Sequence, residues 1–327
     1  MDPTGAIDTH SHFYGETLFA CLSRRDGVPR VESRGAARFM VTPTSRFELR
    51  GGFVSVDERL AWMDANRIAR QVMTFPGALG PDVLPAREAV PLVRDVNDEL
   101  ASVCRAHPDR FVGLAGLPLA DLGAAMAELE RARGLGLIGF ILPSNYAATL
   151  AHLDSLTPLF AVADQLGAHV MLHPGLRADE DLTPRAYADL SIHRASSLDL
   201  HSDIGHALTT VIYSRLTTRY RNVTVQVVNL GGTFPVLIER MDQIVATRDP
   251  TAPRPSSMLD GIWVDNASLG PHALALAVAV FGADRILMGT DYPIFETDIS
   301  LAAARNHGSR ELILAHNAAK LLASYAV

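Results

Sequence analysis

Short apolar segments alternate with longer segments of helical pattern along the 327 residues of the chain. The short segments are continuous apolar runs, which are typical of strands buried on both faces of a parallel sheet. They predict eight strands: Ala6–Thr9, Ala69–Phe75, Phe111–Ala115, Leu137–Leu142, His169–His173, Val223–Val228, Ile262–Asp265 and Arg285–Gly289.

Between most of these strands the apolar residues recur with the period of a helix. The predicted helices are Val56–Asn66, Arg87–Ala106, Leu122–Arg133, Thr157–Leu166, Ile204–Tyr220, Pro235–Ala246 and Pro271–Phe281. Eight such units predict an α/β chain that forms a (β/α)₈ TIM barrel, as one domain over residues 1–327. The alternative is a doubly wound open sheet. No Gly-x-Gly-x-x-Gly follows the first strand, which weighs against a dinucleotide-binding version of it.

Three long stretches depart from the simple alternation. Residues 13–55 follow the first strand and contain seven arginines, and residues 176–203 follow the fifth strand. Long loops at the carboxyl ends of barrel strands usually shape an active site, so we expect both loops to border the functional site. Residues 247–259 are rich in proline and predict a surface excursion.

Composition narrows the classes of protein that remain. Hydrophobic residues make up 48% of the chain and charged residues 20%, enough for a sizeable core. A formal net charge of -7 gives no indication of nucleic-acid binding. Cys21 and Cys104 are the two cysteines and lie far apart, which fits a reducing compartment. With no signal-peptide pattern and no apolar run of bilayer length, we expect a cytoplasmic protein without a membrane partner.

Polar side chains close several of the apolar strands. His10 and His12 end the first strand and point to the same face, because residues i and i+2 of a strand do so. His173 ends the fifth strand and Asp291 follows the eighth. Strand ends of a barrel meet at one mouth, and three imidazoles with a carboxylate suit zinc, manganese or iron. We expect one divalent metal ion, with zinc first and manganese second; His173 taken alone would fit a buried, hydrogen-bonded histidine equally well.

These residues belong to a longer series of motifs in the chain. The series comprises Asp-Thr-His-Ser-His at 8–12, Pro-Asp-Arg-Phe at 108–111, Leu-Pro at 117–118, Leu-His-Pro-Gly at 172–175, Gly-Gly-Thr-Phe-Pro at 231–235 with Arg240, Gly-Ala-Asp-Arg at 282–285, Gly-Thr-Asp-Tyr-Pro at 289–293 and Asn-Ala-Ala at 317–319. In these motifs the chain resembles the amidohydrolase superfamily over nearly its whole length. Within that superfamily it resembles the branch of aminocarboxymuconate-semialdehyde decarboxylase and related aromatic-acid decarboxylases.

The resemblance implies a metal held by His10, His12, His173 and Asp291. It also implies decarboxylation of an aromatic or unsaturated carboxylic acid, with Asp291 helping to deliver a proton to the carbon that loses CO₂. Two alternatives stay open. One is a metal-dependent hydrolase of an amide, ester or lactone, and the other is a catalytically weak or repurposed metal-binding relative.

One position departs from the family pattern. Asn229 stands at the end of the sixth strand, where the family usually has a histidine. An amide cannot take up a proton near pH 7, so Asn229 can orient a substrate or a water but cannot act as a general base. Either Asp291 handles the proton alone, or the protein is repurposed, or a loop histidine substitutes. The histidines available for that role are His193, His201, His206 and His272.

The resemblance also suggests residues that bind the substrate. In similar proteins the arginine at the place of Arg240 reaches a substrate carboxylate across a subunit interface, which implies a homodimer; an ion pair with Glu239 or Asp242 is the structural alternative. Arg46 and Arg50 lie in the first long loop, where the family has carboxylate-binding arginines, and Arg50 is our choice. A solvated arginine-rich face is the competing interpretation of that loop. We expect Phe75 to floor a planar pocket, although packing in the barrel is the alternative.

Overall fold

The computed structural model describes residues 5–42, 46–49, 53, 55–75, 77, 80–81, 84–180, 194–295 and 299–325. Within these residues eight parallel strands form a barrel with helices outside it, as the sequence predicts. The strands in chain order are β1 Ala6–His12, β2 Arg30–Arg34, β3 Ala37–Val41, β4 Arg46–Glu48, β5 Ile68–Thr74, β6 Phe111–Ala115, β7 Gly139–Pro143, β8 His169–His173, β9 Thr224–Val227, β10 Ile262–Asp265 and β11 Ile286–Leu287. The barrel order is β1-β5-β6-β7-β8-β9-β10-β11.

The barrel closes where β1 meets β11 and the residues after it, up to Tyr292, and we call this junction the seam. The Thr9 amide donates to the Met288 carbonyl at 2.8 Å, and the His12 amide donates to the Tyr292 carbonyl at 2.8 Å. The Asp291 amide donates to the His10 carbonyl, also at 2.8 Å. These bonds exclude the open-sheet alternative and bring the first and last strand ends side by side.

The helices cover the barrel with apolar faces because the strands, buried on both sides, require an apolar outer layer. They are α1 Glu16–Leu22, α2 Val56–Ala65, α3 Ala86–Ala106, α4 Leu122–Gly134, α5 Leu150–Ser155, α6 Thr157–Leu166, α7 Leu200–Tyr213, α8 Leu216–Arg219, α9 Phe234–Arg248, α10 Pro271–Phe281, α11 Ile299–Arg305 and α12 Asn317–Ala323. Side-chain caps fix some of the starts. Ser55 accepts from the Glu58 amide ahead of α2, and Asp121 accepts from the Ala124 amide ahead of α4.

Two regions differ from the sequence prediction. The long stretch after β1 contains α1 and a three-stranded antiparallel sheet of order β2-β3-β4, rather than being only a loop. The single helix predicted over 204–220 is two helices, α7 and α8. Arg215 between them has φ 58°, a left-handed conformation that cannot continue a right-handed helix. Among the described residues, no helix has both the length and the apolar character needed to cross a membrane.

Candidate metal centre

Four side chains converge at the carboxyl ends of the barrel strands. They are His10 and His12 from β1, His173 from β8, and Asp291 just after β11, and one potential ligand atom of each lies within 4.8 Å of those of the others. The three imidazole ring centroids are 4.9–5.2 Å apart. The histidines are buried, and the Asp291 side chain is 14% exposed. Residues separated by more than 280 positions therefore form one compact group.

Hydrogen bonds on the Nδ1 atoms fix the orientation of all three imidazoles. His10 Nδ1 donates to Asp265 Oδ1 at 3.1 Å, and His173 Nδ1 donates to the Pro174 carbonyl at 3.0 Å. His12 Nδ1 shares a hydrogen bond with Thr74 Oγ1 at 2.8 Å. With Nδ1 engaged, Nε2 is the atom that each ring can offer to a metal ion.

His10 Nε2 gives a direct test of whether a metal ion fits this group. The atom is fully buried and has no hydrogen-bond partner within the described part of the chain. A buried polar atom without a partner is costly, and coordination of a cation would remove that cost. Three neutral imidazoles and one carboxylate are a donor set that divalent zinc or manganese accepts. The residues present therefore fit a divalent metal ion.

Asp291 is held from several sides. Its Oδ1 lies 3.0 Å from His12 Nε2 and 3.7 Å from His10 Nε2, so it faces the centre of the group. Its Oδ2 accepts a hydrogen bond from Ser268 Oγ at 2.9 Å. The backbone of Asp291 is left-handed, with φ 61°, a conformation that aspartate tolerates better than most residues. The turn after β11 thus directs the carboxylate into the site.

Burial and neighbouring charges set the protonation of these groups. Burial raises the pKa of Asp291, but the hydrogen bond with His12 and the adjacent imidazoles outweigh it and bring the pKa to about 2. Burial lowers the pKa of His12, and it lowers that of His173 further because neighbouring imidazoles add to the effect. An anionic carboxylate beside neutral imidazoles is the protonation state that a cation requires.

His10 differs from the other two histidines. Burial lowers its pKa, but the carboxylates of Asp265 and Asp291 outweigh burial and raise the pKa to about 9. The negative charge around His10 thus favours a positive partner at Nε2, which is either a proton or a metal ion.

Asp265, at the end of β10, was not singled out from the sequence. It is fully buried, and besides His10 it accepts from Gln226 Nε2 at 2.7 Å and from the Ala267 amide at 3.1 Å. A carboxylate that binds the far nitrogen of a metal-ligating histidine fixes the ring and strengthens it as a ligand. Its position in the sequence could have indicated a site residue, because Asp265 is a carboxylate that closes the seventh predicted strand, as Asp291 follows the eighth.

Asn229 lies beside this group, after β9. Its backbone is left-handed, with φ 53°, and its amide donates to Asp265 Oδ1 at 3.3 Å. Its side-chain Nδ2 donates to the Ala267 carbonyl at 3.0 Å. Among the described residues no hydrogen bond reaches its Oδ1. Asn229 therefore joins the loops after β9 and β10, and its oxygen remains as an acceptor.

The other predicted site residues are spread more widely. Phe75 is fully buried, and a Cβ placed on Gly116 would lie 2.4 Å from its ring, which indicates close packing under the loop after β6. Arg240 is exposed on α9 and forms no ion pair with any described residue, so the structural alternative of an ion pair with Glu239 or Asp242 is not present. Arg50 lies outside the described residues.

None of the described loop histidines joins the four-residue group. His201 donates from Nδ1 to the Ser197 carbonyl at 2.6 Å, and His206 and His272 are exposed. His193 lies outside the described residues. Within the described residues the structure thus gives no direct replacement for the histidine that the family usually has at the place of Asn229.

A closed barrel whose strand ends carry three histidines and an aspartate around one point defines a class of metal-binding TIM-barrel proteins. The family model described as amidohydrolase matches residues 7–323, and the chain belongs to that family. This confirms the resemblance that the sequence motifs indicated.

Individual relatives extend the comparison. The chain is 28% identical over 246 residues to 2-amino-3-carboxymuconate-6-semialdehyde decarboxylase of Dictyostelium discoideum. The match covers 72% of this chain and 66% of that relative, which is just under two thirds of its length. It is 26% identical over 257 residues to gamma-resorcylate decarboxylase of Rhizobium sp., covering 74% of this chain and 78% of that protein. The structure of dihydroxybenzoic acid decarboxylase from Polaromonas sp., which contains bound manganese and the inhibitor 2-nitroresorcinol, superposes with a TM-score of 0.74 at 19% identity, covering 99% of this chain and 98% of that one.

Proposed function

We propose that the protein is a metal-dependent decarboxylase of an aromatic or unsaturated carboxylic acid. The observation that carries the metal dependence is the convergence of His10, His12, His173 and Asp291, with a buried His10 Nε2 that lacks a partner among the described residues. The choice of decarboxylation over hydrolysis is supported by the names of the relatives, which are decarboxylases. We take the active unit to be one barrel domain over residues 1–327.

A bound divalent ion would polarise a substrate oxygen and offset the negative charge that develops as CO₂ leaves. The residues of the chain contribute position and protons. The Nδ1 hydrogen bonds hold the imidazoles in place, and Ser268 holds the Asp291 carboxylate through Oδ2. The site is therefore preorganised before the substrate enters.

Asp291 is our candidate for the proton transfer. With a pKa of about 2 its carboxylate is ionised at rest, so the proton has to arrive with the substrate. A hydroxyl beside the reacting carboxylate can supply it: the hydroxyl proton passes to Asp291, the bond between the ring carbon and CO₂ breaks, and the electron pair left on that carbon takes the proton from Asp291. Asn229 would accept a hydrogen bond from the substrate or from a water through its Oδ1.

Substrate binding and assembly follow the family resemblance. We propose that Arg50 and Arg240 bind the substrate carboxylate, that Phe75 supports the pocket from below, and that Arg240 does so in a homodimer. The lack of any ion pair between Arg240 and a described residue supports this role. Light scattering should give a dimer, and Arg240→Ala should raise KM more than it lowers kcat; a monomer with unchanged KM would refute both points.

The metal and the compartment are further parts of the proposal. Three imidazole ligands favour zinc, whereas the structure of the Polaromonas relative contains manganese. Elemental analysis of protein purified without added metal decides between them. A cytoplasmic location is supported by the free thiols of Cys21 and Cys104.

One experiment tests the function as a whole. Purified protein, its chelated form and the chelated form reloaded with zinc or manganese are assayed for CO₂ release from dihydroxybenzoates, methylsalicylates and carboxymuconate semialdehydes. We expect CO₂ release that chelation abolishes and reloading restores. His173→Ala should abolish CO₂ release, whereas His272→Ala, the same substitution at an exposed histidine, should retain it. Cleavage of an ester or lactone without CO₂ from any acid would establish the hydrolase instead.

A further inference from the structure

Two buried charged side chains lie at the seam and take no part in the proposed chemistry. Arg59, on α2, is 2% exposed, and Asp8, on β1, is fully buried. They are joined by one amide: Arg59 Nη1 donates to Gln71 Oε1 at 2.7 Å, and Gln71 Nε2 donates to Asp8 Oδ2 at 2.8 Å. Buried ions are costly unless they are paired and hydrogen-bonded, so the geometry of these hydrogen bonds is strongly constrained.

Arg59 contacts both sides of the seam. Its Nη2 donates to the carbonyl oxygen of the metal-ligand candidate His12. Its guanidinium lies 4.8 Å from the ring centroid of Tyr292, the residue directly after Asp291. One planar side chain thus holds the main chain of one ligand and the neighbour of another.

Asp8 contacts the same two strand ends, at His10 and Thr290. Its Oδ1 accepts from the His10 amide at 3.1 Å and from the Thr290 amide at 3.0 Å, and its Oδ2 accepts from Thr290 Oγ1 at 2.6 Å. Thr290 directly precedes Asp291. Arg59 and Asp8 therefore fix the backbone on both sides of the seam, where His10, His12 and Asp291 all lie.

The seam needs such support because its strand pairing is short. β11 spans only Ile286–Leu287, so most of the contact with β1 is made by main-chain hydrogen bonds of the residues from Met288 to Tyr292, which lie beyond the strand. The main-chain bonds across the seam therefore belong largely to an irregular segment, and the side chains of Arg59 and Asp8 add to them in setting the distance between the two strand ends. A displacement of about 1 Å between them would spoil a coordination sphere that tolerates only a few tenths of an ångström.

We propose that Arg59 is a positioning residue that, through Gln71 and Asp8, sets the spacing of His10, His12 and Asp291 for metal binding. The inference rests on the proposed metal site and adds a residue from α2 to it. Arg59 touches neither substrate nor metal in this role. Its effect is on how well the three ligands are preorganised, so it should be measured in metal affinity rather than in turnover alone.

The test compares the metal affinity of the wild type with that of Arg59 variants, and it includes a control variant that loses stability at a distant position. The chelated forms of the wild type, Arg59→Met and Arg59→Lys are titrated with Mn²⁺ or Zn²⁺ by calorimetry. The control is Leu159→Ala, a substitution at a fully buried position on α6 away from the seam. It is chosen so that its loss of thermal stability matches the loss in Arg59→Met. Arg59→Met should bind the ion 10- to 100-fold more weakly, and Arg59→Lys, which keeps the charge but not the planar fork, should fall between it and the wild type.

The outcomes separate the possible failures. If Arg59→Met binds metal within twofold of the wild type, or no worse than Leu159→Ala does, the positioning role is wrong while the metal site stands. If the wild type takes up neither ion, the proposed function fails and this inference fails with it. Should Arg59→Met not fold, Arg59→Lys and Gln71→Leu, which removes the link between the two charges, give the same comparison.

Discussion

His10 has two ring nitrogens with opposite surroundings. Nδ1 faces the Asp265 carboxylate, and Nε2 is buried with no partner in the described chain. A ring polarised in this way is a stronger ligand than an isolated imidazole, because the carboxylate raises the electron density that Nε2 can donate. The second carboxylate of the site thus acts through His10, and its contribution depends on a residue 255 positions away.

Asn229 shows a different kind of constraint. Its main chain bonds Asp265 and its side chain bonds the Ala267 carbonyl, in a pocket where it is 5% exposed. The amide therefore acts in the connection between two loops, in addition to any contact with a ligand. A larger imidazole at this position would have to displace one of these neighbours.

We therefore expect Asn229→His to lower activity and not to restore a base. Relief of the overpacking would displace Asp265 or Ala267 beside the metal centre, and a loss of 1.4 kcal/mol in transition-state stabilisation corresponds to about tenfold in rate. Steady-state kinetics of CO₂ release should show at least a tenfold fall in kcat/KM. Asn222→His, on an exposed position, is the matched control. A gain in activity would show that the site lacks a base that histidine supplies.

The connection from β9 to α9 depends on a tight approach between two elements. Gly232 has φ 62°, and a Cβ on it would lie 2.1 Å from the carbonyl oxygen of His201 on α7. The adjacent Thr233 amide donates to that same carbonyl at 3.0 Å. The absence of a side chain at Gly232 lets α9, which carries Arg240, start against α7.

Gly232→Ala should therefore destabilise the protein by roughly 3 kcal/mol, since it adds a left-handed alanine and a backbone clash. Urea unfolding of the two proteins measures the difference. Gly134→Ala, near the end of α4 where a Cβ would meet no atom within 4 Å, should change stability by no more than about 1 kcal/mol. Equal stabilities of the two variants would mean that the loop rearranges without cost.

The interior of the barrel carries a polar chain that links its two ends. His169, at the start of β8, bonds Gln226 Oε1 through Nε2 at 3.0 Å, and Gln226 Nε2 bonds Asp265 Oδ2 at 2.7 Å. Asp265 in turn orients His10. Burial lowers the pKa of His169 to about 4, despite the hydrogen bond to Gln226. The barrel therefore holds this histidine neutral at physiological pH.

This neutral histidine should make the fold sensitive to acid. Below pH 6.5 the unfolded chain binds a proton at His169 and the folded chain does not, so stability falls as the pH drops from about 6.5 towards 4. Between pH 7 and pH 5 the loss should be about 2 kcal/mol. His169→Gln, whose amide can still donate to Gln226, should lose that part of the dependence.

The measurement is urea unfolding of both chelated proteins at pH 7 and pH 5. Chelation keeps the metal from stabilising either protein, and the metal ligands contribute equally to both, so the difference isolates His169. An identical pH dependence in the two proteins would show that His169 titrates normally in the folded state.

The barrel architecture could be inferred from the sequence because parallel strands buried on both faces must be continuously apolar, and their alternation with helices is a local property of the chain. The four proposed metal ligands could be inferred for a related reason. A polar residue that closes an apolar run is costly without a partner, and all such positions meet at one mouth of a barrel.

The roles of Asp265, Ser268, Arg59 and Asn229 could not be inferred in this way, because each role is defined by a partner from another strand or loop. Asp265 becomes an orienting group only when β10 lies beside β1, and Arg59 reaches His12 and Tyr292 only when the seam is closed. Periodicity along a chain records which residues face the core. It does not record which buried groups pair with one another, since that depends on strand order, register and the geometry of closure.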